Sequence, residues 1–128
     1  MLYDLYVAYK GKGLEIIAQP CNQFAGQEPG TDPDIKEQAV ECYGARFPLL
    51  HKDDVNRAQA TDYFKFLRRQ SRLYNAETQQ TRQVPWNFTK FLVNRNADRV
   101  IYFNPRTDQK DIVNTIKDMI SRGTEKVF

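Results

Sequence analysis

The stretch WNFTKFLVNRNADRVIYF, residues 86–103, decides the fold of this chain. Its two apolar runs, 88–93 and 100–103, have the length and the β-branched and aromatic content of strands. The polar segment 94–98 between them contains residues that favour turns. The stretch therefore predicts an antiparallel pair of strands.

Four other segments carry apolar residues at the spacing of an amphipathic helix. Their ends are predicted from cap and stop residues, because Ser, Thr, Asp and Asn favour helix starts and Gly favours helix ends. The first predicted helix is 2–9, followed by Gly11 and Gly13 as stops. The second is capped by Thr31, has Pro33 in its first turn and ends at Gly44. The third is 62–73, capped by Thr61, and the last has Asp108 and Asp111 at its start and an apolar face of Ile112, Ile116, Met119 and Ile120. The expected apolar faces are Ile35, Ala39, Cys42 and Tyr43 in the second helix, and Tyr63, Phe66 and Leu67 in the third.

Two short apolar runs, 14–18 and 47–50, predict further strands, and the polar segments 19–30 and 74–84 predict loops. The alternation of helices and strands indicates an α/β sandwich. At 128 residues, we expect a single domain, 1–128.

Composition narrows the possible functions. No run approaches the roughly 20 apolar residues of a membrane span. Acids and bases are interspersed and the net charge is +3, so we expect no nucleic-acid partner. A single histidine, His51, and two separated cysteines provide no metal-ligand pattern, so we expect no metal site. The start of the chain has no signal-peptide pattern, and we expect a cytoplasmic protein.

Two segments, PCNQFAGQEPG (20–30) and WNFTKFLV (86–93), together resemble the active-site signature of the glutathione peroxidase family. The resemblance extends over essentially the whole chain, because the order and spacing of the elements also fit. It implies a thioredoxin-like three-layer α/β sandwich. It also implies a thiol-dependent peroxidase that reduces hydrogen peroxide or organic hydroperoxides in oxidative-stress defence.

The resemblance assigns three donors to the site: Gln27 of N-Q-F-x-x-Q-E-P, and Trp86 and Asn87 of W-N-F-x-K-F. Peroxide reduction needs an ionised thiol or selenol, and neutral amide and indole N–H groups stabilise that anion. Taken singly, Gln27 would be a solvated loop residue, Trp86 a packing residue and Asn87 a turn residue. The family implies no bound cofactor, and glutathione or thioredoxin as reductant. We also expect a monomer.

The third part of the signature, N-V-A-S-x-(Cys or Sec)-G, does not occur in the 128 residues. We expect the sequence to be incomplete at its N-terminus, without the central strand that presents the nucleophile, and the chain alone to be inactive. The alternative is an inactive remnant or an interaction module with the same fold. Cys21 and Cys42 are possible substitute thiols, although each is more simply interpreted as a core residue.

Four positions depart from the family pattern. Gln19 replaces the usual phenylalanine, and Ala25, Arg57 and Ala97 stand where the family has glycine. If those glycines serve turns of positive φ, each replacement costs on the order of 1 kcal/mol.

Overall fold

A computed structural model describes residues 2–44 and 47–125. The described chain is a mixed α/β structure, as predicted. Its elements are α1 (Leu2–Tyr9), a 3₁₀ turn (Lys10–Lys12), α2 (Asp32–Tyr43), α3 (Asp62–Arg69), β1 (Tyr74–Asn75), β2 (Gln80–Thr81), β3 (Lys90–Val93), β4 (Val100–Phe103) and α4 (Gln109–Glu125). Within the described ranges, no helix is long and apolar enough to cross a membrane.

The chain divides into two compact units, one up to Asp53 and one from Asp54 onward. The expectation of a single domain stays a prediction.

In the first unit, the end of α1 and both ends of α2 lie where the cap and stop residues predict. A left-handed Gly13, with φ of 105°, follows α1 and its 3₁₀ turn. The hydroxyl of Thr31 accepts from the backbone N–H of Asp34, whose carboxylate accepts from the N–H of Thr31 in return, and this capping box starts α2. Gly44, with φ of 62°, ends α2. The buried apolar residues of this unit are Leu5, Tyr6, Cys21, Phe24 and Ile35.

The strands predicted at 14–18 and 47–50 are wrong in extent. Among the residues that the structure describes, these segments form a single parallel bridge, between Ala18 and Leu49. The Ala18 N–H donates to the Pro48 carbonyl at 3.0 Å, and the Leu50 N–H donates to the Ala18 carbonyl at 2.9 Å. A strand needs a partner along its length, and Ile17 is 59% exposed rather than buried. The apolar run alone therefore overstated the strand.

The second unit contains the predicted hairpin. Strands β3 and β4 pair antiparallel, from Lys90 opposite Phe103 to Val93 opposite Val100. The ring of Phe91 contacts Phe64 and Tyr102, with centroids 6.0 and 5.8 Å away. The buried apolar residues of the described part of this unit are Val55, Ala60, Leu73, Val84, Val100, Phe103, Ile112 and Ile116. The start predicted for α4 is confirmed, since Asp108 Oδ1 accepts from the Lys110 N–H at 2.9 Å.

The region around α3 differs from the prediction in three ways. Helix α3 ends at Arg69, capped by Gln70, instead of reaching residue 73. Tyr63 and Phe66 are 44% and 40% exposed, while Phe64 and Leu67 are half-buried, so the inward face is rotated from the predicted one. The predicted loop 74–84 contains the small hairpin β1–β2. Spacing identified a helix here, but it did not identify which of its aromatic residues is covered.

The prediction about the missing glycines is confirmed. Ala25, Arg57 and Ala97 all have positive φ, at 58°, 68° and 58°. Side chains with a Cβ are disfavoured in this left-handed region. The chain therefore keeps turns that suit glycine and accepts local strain at each of them.

Candidate active site

Gln27 lies at the end of a tight turn in the first unit. Ala25 and Gly26 both have positive φ, and the Gln27 N–H donates to the Phe24 carbonyl at 3.3 Å. Positive φ at both central residues is the pattern of a type I′ turn. Phe24 is buried, whereas the Gln27 side chain is exposed. The turn therefore anchors its apolar end and presents the amide of Gln27 to solvent.

The loop that carries Gln27 is held by Lys52. The Lys52 ammonium donates to the carbonyls of Glu28, at 3.1 Å, and Gly30, at 2.7 Å. The side chain of Asn22 accepts from the Glu28 N–H at 2.9 Å on the same loop. Because these contacts bind main-chain atoms on the C-terminal side of Gln27, they fix the path of the loop.

Asp32 links this arrangement to the start of α2. Its Oδ1 accepts from the Lys52 N–H at 2.9 Å, and its Oδ2 contacts Nδ1 of His51. The bond from the Lys52 amide is the largest cause that holds the pKa of Asp32 below its ordinary value. The contact with His51 acts in the same direction, and desolvation opposes both. His51 is an exposed surface residue with an acidic partner.

Trp86 and Asn87 lie together in a turn of the second unit, directly before β3. The hydroxyl of Thr89 donates to the Trp86 carbonyl at 2.8 Å and closes the turn. Phe88 has a φ of 64° and is 67% exposed. Strained backbone and an exposed aromatic ring at one turn are more typical of a functional site than of a packing element.

Lys90 adds a cation beside this turn. Its ammonium donates to the Phe88 carbonyl at 2.8 Å. Partial burial of the side chain lowers the pKa of Lys90 from its ordinary value, because desolvation disfavours the charged form.

Asn56 fixes the segment that leads into Trp86. Its Oδ1 accepts from the Val84 N–H at 2.8 Å, and its Nδ2 donates to the Val84 carbonyl at 3.0 Å. Both Asn56 and Val84 are only 4% exposed. One buried amide thus satisfies both polar groups of Val84, two positions ahead of the tryptophan.

Trp86 also lines a groove of about 440 Å³ in the second unit. Its walls are formed by two short segments of chain, one before β3 and one at the end of β4. The lining residues are Pro85, Trp86, Tyr102, Asn104, Pro105 and Arg106. No motif or periodicity in the sequence indicated this groove or a role for Arg106.

The two cysteines are in different environments. Cys21 is buried, as predicted, and its sulfur lies 3.4 Å from the amide oxygen of Gln23. Cys42 is exposed, so its interpretation as a core residue is wrong. Ile35 of the same helix is buried, and Tyr43, predicted on the same face, has a side chain outside the described part. Among the described residues, no group of three His, Cys, Asp or Glu side chains could hold a metal ion.

Comparison with known proteins identifies the family. The sequence profile of the glutathione peroxidase family matches residues 1–68. The glutathione peroxidase homolog BsaA of Bacillus subtilis is 38% identical over 121 residues, covering 94% of this chain and 73% of BsaA. This chain belongs to the glutathione peroxidase family. The glutathione peroxidase of Schistosoma mansoni agrees, at 39% identity over 94% of this chain and 69% of its own length.

Solved structures support the same family assignment for this chain. The crystal structure of T. cruzi GPX1 matches with a TM-score of 0.67 at 30% identity, over 92% of this chain and 67% of that one. Trgpx in its apo form matches with a TM-score of 0.64 at 27% identity, over 94% of this chain and 68% of that one. The predicted thioredoxin-like α/β fold is therefore confirmed.

Within this family member, the predicted donors fall in both units: Gln27 in the first, and Trp86 and Asn87 in the second. Their roles as donors stay a prediction. The sequence did not reveal the roles of Lys52, which binds the backbone just after Gln27, and Asn56, which binds the backbone just before Trp86. Asn56 follows the buried Val55 in the sequence. A polar amide next to an apolar residue was the one feature of the sequence that could have indicated a buried, hydrogen-bonded side chain there.

Proposed function

We propose that this family member contributes the donor set of a thiol-dependent peroxidase that reduces hydrogen peroxide or organic hydroperoxides. The observation that carries the proposal is the placement of Gln27 and Trp86–Asn87 in strained, backbone-anchored turns. Anchored neutral donors stabilise an anion without having to reorganise during the reaction. The family resemblance supplies the reaction for which such donors would serve.

In the proposed reaction, a thiolate or selenolate attacks one peroxide oxygen. A sulfur–oxygen (or selenium–oxygen) bond forms as the oxygen–oxygen bond breaks, which leaves a sulfenic or selenenic acid. The leaving alkoxide takes a proton and departs as alcohol, or, from hydrogen peroxide, the leaving hydroxide departs as water. A reductant thiol then condenses with the sulfenic acid, releasing water and forming a mixed disulfide. A second thiol resolves that disulfide and restores the nucleophile. Gln27, Trp86 and Asn87 would hold the anion through their N–H groups.

The nucleophile is the part of the proposal that needs a direct test. Neither Cys21 nor Cys42 stands in the family's nucleophile motif. Two versions of the protein therefore belong in one assay: residues 1–128, and the same chain with an N-V-A-S-x-Cys-G segment of the family fused ahead of Met1. Each is assayed for hydroperoxide consumption with glutathione and with thioredoxin.

Donor variants test the assigned roles in whichever form is active. Gln27→Leu and Trp86→Phe should each lower kcat by about 100-fold, the magnitude typical of removing one donor to a reacting anion. Gln59→Leu, in another exposed turn, is the matched control and should leave kcat unchanged. An active enzyme that tolerates both donor substitutions would disprove the roles given to Gln27 and Trp86.

The same assay separates the alternatives. Activity of residues 1–128 that Cys21→Ser or Cys42→Ser abolishes would identify a substitute thiol, for which the exposed Cys42 is better placed. The absence of activity in both forms, with glutathione and with thioredoxin, would favour the inactive remnant or interaction module.

A further inference from the structure

The groove beside Trp86 combines apolar walls with a single cation. Trp86, Tyr102 and two prolines form most of its lining, and Arg106 and Asn104 supply the polar groups. Its volume of about 440 Å³ falls within the range of small-molecule sites. The groove therefore has the size and chemistry of a binding site for a compact, largely apolar ligand.

Both walls of the groove are fixed by hydrogen bonds to the backbone. On one side, Thr89 closes the turn at Trp86. On the other, Asn104 Oδ1 accepts from the Arg106 N–H at 2.8 Å and from the Thr107 hydroxyl at 3.2 Å. A site whose walls are already ordered loses less conformational entropy when a ligand binds.

The positive charge of the groove comes from Arg106. The lining contains no acidic residue. The ion pairs among the described side chains, His51–Asp32 and Arg122–Asp118, do not involve Arg106. Arg106 is exposed, and its planar guanidinium can bind both oxygens of a carboxylate.

We propose that this groove binds an organic acid, with its apolar body against Trp86 and Tyr102 and its carboxylate on Arg106. This inference rests on the proposed function for its link to catalysis. If Trp86 is a donor at the reacting centre, the matching substrate is a hydroperoxide that carries a carboxylate on an apolar body, such as a fatty-acid hydroperoxide. Arg106 is then the residue that selects acidic over neutral hydroperoxides.

Binding can be measured without turnover, because Trp86 is the single tryptophan of the chain and is 45% exposed. Octanoate should change the tryptophan fluorescence saturably, and its neutral ester, methyl octanoate, should bind more weakly. Arg106→Gln should weaken octanoate binding about tenfold, which corresponds to about 1.4 kcal/mol. Arg99→Gln, an exposed arginine outside the groove lining, is the matched control and should bind octanoate as the unchanged chain does.

Equal binding of octanoate and its methyl ester, or octanoate binding that Arg106→Gln leaves unchanged, would overturn the proposal. Circular dichroism of the Arg106 variant confirms that it is folded, and Arg106→Lys should recover part of the affinity. Glutathione also carries carboxylates, so it is titrated in parallel. An Arg106-dependent response to glutathione and not to octanoate would assign the groove to the reductant and overturn the proposal.

Turnover tests the link to the reaction separately. The ratio of kcat/KM for a fatty-acid hydroperoxide to kcat/KM for its methyl ester should fall about tenfold in Arg106→Gln, and an unchanged ratio would refute Arg106 as the selecting residue. These ratios are measured in whichever form is active, residues 1–128 or the fused chain, and the absence of turnover in both forms would refute the proposed peroxidase function, and the substrate class with it. Binding of an organic acid in the groove would then be tested by the fluorescence measurements alone.

Discussion

The most demanding prediction concerns Asn56→Ala. The Asn56 side chain accepts from the Val84 N–H at 2.8 Å and donates to the Val84 carbonyl at 3.0 Å, in a site where both residues are 4% exposed. Alanine cannot make either bond. Since water does not reach the backbone of Val84 freely, the substitution leaves one donor and one acceptor buried without partners.

The magnitude follows from those two groups. An unsatisfied buried polar group costs roughly 1–3 kcal/mol, so two of them cost about 2–6 kcal/mol. The lower half of that range is expected, because the space that the amide leaves is large enough for partial relaxation. We therefore expect a loss of about 3 kcal/mol in the free energy of unfolding, a large part of the roughly 5–15 kcal/mol typical of a folded protein. The melting temperature should fall by about 10 °C.

Urea unfolding followed by tryptophan fluorescence and by circular dichroism measures this loss. Trp86 is two residues beyond Val84, so its emission reports on the segment that Asn56 holds. Asn75→Ala is the matched control, because Asn75 also accepts from two backbone amides, of Glu77 at 2.9 Å and Thr78 at 3.3 Å, but at an exposed position. Water can replace those bonds, and the expected loss is below about 1 kcal/mol. If Asn56→Ala costs no more than Asn75→Ala, the buried amide does not support the tryptophan segment as argued.

Three further predictions concern other local features. Lys52→Met removes the bonds to the Glu28 and Gly30 carbonyls and should speed amide hydrogen exchange in residues 22–30, and unchanged exchange would contradict its holding role. Because folding lowers the pKa of Asp32, its carboxylate stabilises the fold above the ordinary aspartate pKa, and this contribution is lost as pH falls through the lowered value. Asp32→Asn should therefore flatten the fall of the melting temperature between about pH 5 and pH 2, and an unaltered slope would argue against the linkage. Ala97→Gly relieves a φ of 58° and should stabilise the chain by up to about 1 kcal/mol in urea unfolding, whereas a loss of stability would show that the turn is not strained.

Local signals in the sequence predicted local structure well. The helix starts at Thr31 and Thr61 were predicted from cap residues, and both hydroxyls accept the expected backbone N–H. The hairpin of β3 and β4 was predicted from two apolar runs around a polar turn. The positive φ at Ala97 was predicted from a family glycine. Each of these features depends on a few adjacent residues, whose identities are enough to specify it.

Features that depend on distant partners were predicted poorly. Residues 14–18 have the composition of a buried strand, yet only Ala18 finds a partner. Cys42 lies at helical spacing from Ile35, yet the first is exposed and the second buried. Periodicity defines the faces of a helix or strand, but whether a face is covered depends on what the rest of the chain brings to it.

The two holding residues, Lys52 and Asn56, illustrate why a site is harder to predict than its motif. Each binds backbone atoms, Lys52 at the Glu28 and Gly30 carbonyls and Asn56 at both polar groups of Val84. Every residue has a main-chain carbonyl, whatever its side chain, and every residue except proline has an N–H. The identities of Glu28, Gly30 and Val84 therefore do not show that their main-chain atoms are bound by another side chain. A motif built from side chains can therefore reveal the candidate donors, while the contacts that hold their loops become visible only in the folded chain. Such a contact is tested by substituting the residue whose side chain makes it, Lys52 or Asn56, because a substitution at Glu28 or Val84 leaves the main-chain atoms in place.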